Sequence, residues 1–67
     1  EELLALDEAL DRLEDTDPEK YQLIQLRYFV GLTNEQAADV MGISPTTAKR
    51  HWRFARSWLH REIHPDT

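Results

Sequence analysis

The sequence predicts an all-α protein: a small three-to-four-helix bundle that contains a helix-turn-helix and no strands. Three observations lead there. Apolar residues recur at three- and four-residue steps, capping residues precede the periodic runs after the first, and no Val- or Thr-rich alternating segment occurs among the 67 residues. A chain of this length makes a single domain, residues 1–67, with a limited core and marginal stability.

Two supporting helices are expected, over about 2–14 and 18–30. In the first, ELLALDEALDRLE, Leu3, Leu6, Leu10 and Leu13 share one face and the acids take the other. The second is opened by Asp17-Pro18, a capping side chain followed by a proline where its missing N–H costs nothing. It places Tyr21, Ile24 and Tyr28 on one stripe, with Leu23, Leu26, Phe29 and Val30 beside it. So broad an apolar surface predicts the central helix of the bundle. Gly31 is expected as its C-terminal cap, with Leu32 packing back.

Residues 33 to 62 then read as a short helix, a tight turn and a longer basic helix. Thr33 and Gln36 have the spacing of a capping box, and Ala37, Ala38, Val40 and Met41 supply the apolar face. Gly42 stands where a helix stops most easily, Ile43 can seal the turn, Ser44 can cap the next helix and Pro45 falls at its first position. Ala38 lies four residues before Gly42 and Ala48 six after it, which sets small side chains where two helices cross closely. In a helix-turn-helix of this kind the second helix can enter the major groove of DNA.

At 100° per residue, Ala48, Trp52, Ala55 and Leu59 form the buried stripe of that last helix, with Ile63 at its edge. Thr46, Arg50, Arg53 and Ser57 lie opposite, flanked by Lys49 and Thr47. Side chains near the N-terminal end would meet base edges and those further along would meet phosphates. Thr46, Thr47, Lys49, Arg50 and Arg53 are therefore the candidate DNA contacts. Phe54 and Trp58, four apart and displaced from the stripe, are expected to pack on the first helix, with a groove for an apolar partner segment as the alternative.

Charge supports this placement although the total does not. Eight Lys and Arg against thirteen Asp and Glu give a net charge of −5, yet residues 1–19 hold nine of the acids beside only Arg12. Residues 45–61 hold Lys49, Arg50, Arg53, Arg56 and Arg61 with no acid, the electrostatic footprint of an element that faces DNA. The acids of the first helix form a solvated face; a surface that repels DNA and so orients docking is the functional alternative. No Cys, no bilayer-length apolar run and no leader are present, so a cytoplasmic domain is expected. The Glu-Glu start without Met predicts a fragment of a longer protein.

Catalysis is not expected. Ser44 and Ser57 have structural explanations, no Gly-rich phosphate loop occurs, and so small a bundle leaves little room for a cleft. His60 and His64, four apart, could share a metal, but no third ligand is evident because Asp66 follows Pro65 in a frayed end. Neither metal nor cofactor is expected.

The run LRYFVGLTNEQAADVMGISPTTAKRHWRFARSWLHRE resembles region 4 of bacterial sigma factors, most closely the extracytoplasmic-function group. RYFVGLT, the MGISP turn and WRFARSWL carry the resemblance, which covers nearly the whole chain. It implies a small winged-helix-like bundle that binds the minus-35 promoter element through the major groove and docks on the β-subunit flap of RNA polymerase. Ser44, Pro45, Thr46 and Thr47 match the start of the recognition helix, and Lys49, Arg50 and Arg53 match or neighbour its DNA-contacting positions. The resemblance further implies an N-terminal region 2 that opens the minus-10 element, and for many members control by an anti-sigma factor. The chain departs from the commoner pattern at Ala37 and Ala48, where Ile and Val are frequent, and at His51 and Phe54, where basic residues are frequent. His51 can touch a phosphate; Phe54 cannot replace a cation.

Two other readings compete. The effector domain of LuxR-type response regulators shares the Gly-Leu loop, the capped short helix and the Ser-initiated helix, but works as a dimer, whereas a sigma domain is expected to be a monomer. A protein-interaction module without DNA binding is the other.

Overall fold

The computed structural model describes residues 2–64, and side chains from Leu4 onward. The side chain of Leu3 and the C-terminal Pro65 and Asp66 lie outside the described residues. Four α-helices follow in order: α1 (Glu2–Thr16), α2 (Pro18–Ile24), α3 (Asn34–Met41) and α4 (Pro45–Ile63), with a π-helical segment, Gln25–Val30, continuing α2. No strand occurs among the described residues.

Each start and stop has a local chemical cause. Asp17 caps α2 by accepting the Lys20 N–H at 3.4 Å, and its other carboxylate oxygen lies 2.7 Å from the Lys20 ammonium. Both halves of the capping box form at α3, with the Gln36 N–H donating to the Thr33 hydroxyl (3.1 Å) and the Thr33 N–H to the Gln36 side chain (2.9 Å). At the other end of α3, Gly42 adopts φ 70°, and the Ile43 N–H closes back on the Ala38 carbonyl at 3.0 Å. Nothing lies within 4 Å of where a Cβ would stand on Gly42, so its left-handed backbone, rather than lack of space, calls for glycine.

The core has two parts. Ala9, Leu10 and Leu13 of α1 pack with Ile24, Ala55 and Leu59, while Leu23 packs with Ala37, Ala38 and Ala48 at the crossing of α3 and α4. Adjacent residues of α2 therefore serve different clusters, which is what a central helix must do. Trp52, half-buried, packs against both. Arg12 of α1 meets Glu62 of α4 at 2.7 Å across the outside of the bundle. Both side chains are partly exposed, so the pair contributes no more than about 1 kcal/mol.

The expected continuous helix over 18–30 is where the structure differs. From Gln25 each backbone bond spans one residue more than in an α-helix, so later residues lag behind the positions a 3.6-residue period assigns them. Tyr28, expected on the buried stripe, is 64% exposed, with Phe29 at 66% and Val30 at 64%. The segment ends where Gly31, at φ 88°, donates to the Leu26 carbonyl and Leu32 follows to the same oxygen at 3.0 Å.

Two consequences are measurable. Ala38→Leu should overpack the α3–α4 crossing, lowering unfolding free energy by about 1–3 kcal/mol and the melting temperature with it; an unchanged melting curve would show that the crossing has slack. The Lys20 hydrogen bond and charge hold the Asp17 carboxyl below its ordinary pKa of 3.8. Its contribution to stability is therefore complete above that value and is lost as pH falls through the lowered folded value. Urea unfolding of the wild type and of Asp17→Asn should differ at neutral pH and converge in acid.

Candidate nucleic-acid interface

The interface is built on α4, and its first turn is organised by Ser44. The Ser44 hydroxyl accepts the Thr47 N–H at 3.1 Å and donates to the Thr47 hydroxyl at 3.0 Å, and Pro45 occupies the first helical position. Thr47 is thereby half-buried in the cap, its hydroxyl already engaged. Ser44, Pro45, Thr46, Lys49, Arg50 and Arg53 are exposed. Ala48, Ala55 and Leu59 are buried on the opposite side, which leaves Thr46, Lys49, Arg50 and Arg53 on the outward face. The fold thus brings together six of the seven residues expected from the sequence as solvent-facing groups and turns Thr47 toward the cap.

Two neighbours behave differently from expectation. His51, a possible phosphate contact by its chemistry, is half-buried with Nε2 3.1 Å from a Glu19 carboxylate oxygen, so it fastens α4 to the start of α2. Phe54 does not join Trp58 on α1. Trp58 packs on the α1 cluster, whereas Phe54 stays 50% exposed with the Lys20 ammonium 4.8 Å from its ring centre. The reason is angular: Phe54 lies about 40° further round α4 from the buried stripe than Trp58 does.

Three residues of the neighbourhood make contacts that had no signal in the linear pattern. Arg27 lies over the Trp52 ring, 4.2 Å from its centre, and Tyr28 approaches the same ring at 5.2 Å. The third is Asn34, the first residue of α3, whose side-chain N–H donates to the Pro45 carbonyl at 3.0 Å. Contacts between residues so far apart in sequence have no periodicity to betray them.

Beside the outward face runs an apolar groove of about 940 Å³ between α1, the π-helical segment and α4. Leu6, Leu10, Ile24 and Leu59 form its floor, Tyr28 and Phe29 stand at one side, and Arg53 and Arg56 at the other. Arg53 therefore borders both surfaces. Further along α4 the His60 and His64 rings lie 5.0 Å apart. No cluster of three His, Cys, Asp or Glu side chains suited to a metal occurs among the described residues. No helix there is long and apolar enough to cross a membrane.

A basic recognition-type helix, opened by a serine cap after a glycine turn and backed by a separate helical layer, is the arrangement against which the family comparison falls. The family model described as ECF sigma factor matches residues 1–65. The chain belongs to the ECF sigma factor family. Neither the curated proteins nor the solved structures gave a match. As an ECF sigma factor chain it serves transcription initiation together with RNA polymerase and promoter DNA, and sigma factors are not enzymes. Family membership favours this role over the LuxR-type alternative.

Proposed function

We propose that this sigma factor domain reads the minus-35 element of its promoters by laying α4 in the major groove. The observation that carries the proposal is the single outward face on which Thr46, Lys49, Arg50 and Arg53 stand exposed, with no partner among the described residues to occupy them, at the capped N-terminal half of α4. Thr46 and Arg50 lie most directly opposite the buried stripe of α4 and take base edges, with Ser44 and Pro45 at the groove wall. Lys49 and Arg53 take phosphates. Thr47 acts through the cap, orienting the turn that carries Thr46. Recognition requires no bond to be made or broken. The domain works as a monomer, and we place the β flap of RNA polymerase in the groove floored by Leu6, Leu10, Ile24 and Leu59. An apolar helix face fits that floor, and acidic residues along its margin would meet Arg53 and Arg56.

The test is selection of bound duplexes from a random pool by the full-length protein with core polymerase, followed by a salt titration on the winning sequence. Neutralising four to six phosphates should make log affinity fall with log salt at a slope of about −4 to −5. Absence of that slope, or of any enriched motif, would leave a protein-interaction module as the better description. Arg50→Ala should weaken binding and relax preference at one base position by about 1–3 kcal/mol. Unchanged preference would remove Arg50 from base readout.

A further inference from the structure

We infer that Asn34 is a positioning residue for promoter recognition, setting the orientation of the first turn of α4 through its bond to the Pro45 carbonyl. The inference rests on the proposal that α4 reads DNA.

The contact between α3 and α4 is otherwise apolar, an alanine crossing with Met41, Ile43 and Trp52 packed around it. Ala37 and Ala38 meet Ala48, and burial of such surfaces holds two helices at a distance without specifying how one is rotated on the other. A hydrogen bond is directional and weakens steeply with misalignment. Among the described residues, the side-chain hydrogen bond that joins α3 to α4 is Asn34 Nδ2 to the Pro45 carbonyl, 3.0 Å long and spanning 11 positions of sequence. It acts at the first residue of α4, immediately before Thr46 and Thr47 and three residues ahead of the alanine crossing. The crossing is a pivot, and Asn34 holds the end of α4 that projects beyond it.

Helix formation alone does not account for an asparagine here. Thr33 and Gln36 already supply the capping box of α3, so Asn34 is not its cap. Asn is an indifferent helix former. Its Oδ1 is shielded from solvent and has no hydrogen-bond partner among the described residues, which is a cost to folding. What the side chain provides is the donor aimed at Pro45. Base readout needs that aim, because hydrogen bonds from a groove-facing helix tolerate only a few tenths of an ångström of displacement.

The experiment compares Asn34→Ala with the wild type in the full-length protein. It measures melting temperature of the protein alone, the salt slope of promoter binding, and base preference by duplex selection with core polymerase. The expected result is an unchanged melting temperature and salt slope, with preference flattened about fivefold or more at one or two base positions. Unchanged preference overturns the inference. So does an equal loss of affinity for every duplex, since that would make Asn34 a direct backbone contact. If Asn34→Ala lowers the melting temperature, Asn34→Asp decides: an acid in the first turn favours α3 through the helix dipole but cannot donate to the carbonyl. Flattened preference in a stably folded Asn34→Asp protein supports the positioning role, and retained preference overturns it. A wild-type protein without base preference would overturn the DNA reading itself, and this inference with it.

Discussion

One constraint shapes this domain: α4 has to bury a single face against two separate clusters while its opposite face stays free. Trp52 is where the two demands meet. Its ring packs against the α1 cluster and the α3 cluster together, and it takes Arg27 and Tyr28 of the π-helical segment at its surface. A smaller residue there would leave two half-cores, each too small to hold a marginal domain. Because the inward face is fully committed to Ala48, Trp52, Ala55 and Leu59, the cations have only the outward and lateral faces to occupy.

The π-helical segment follows from the same constraint. Leu23 and Ile24 must point to different clusters, and the widened turn that begins at Gln25 then brings both Arg27 and Tyr28 onto Trp52. The displacement leaves Phe29 and Val30 exposed and opens one wall of the groove beside α4. A departure from regular geometry thus supplies the apolar surface that a regular helix over the same residues would have buried. Short π-helical segments are frequent at functional positions.

Electrostatics separates the layers further. Asp7, Glu8, Asp11, Glu14 and Asp15 of α1 are exposed on its outer face, and the acids at the start of α2 are used at close range: Asp17 holds Lys20, and Glu19 holds His51. The Glu19–His51 contact docks α2 against α4, whereas the Asp17–Lys20 pair is internal to the start of α2. Lys20, which also covers Phe54, is thereby committed to the scaffold, while Lys49, Arg50 and Arg53 remain exposed.

What the sequence determined by itself was everything whose cause is local. Thr33 and Gln36, Gly42, Ser44 and Pro45 mark helix ends because caps, left-handed turns and first-turn prolines act within about four residues. The 3.6-residue period likewise separated Ala48, Ala55 and Leu59 from Thr46, Arg50 and Arg53, and the spacing of Ala38 and Ala48 foretold their crossing. The tertiary structure decided what depends on partners distant in the chain. It sent His51 to Glu19, set Lys20 over Phe54, turned Tyr28 outward through the π segment and tied Asn34 to Pro45. Those outcomes rest on which faces meet once four helices are packed. A pattern read along one helix carries the direction of a side chain but not the identity of what waits there.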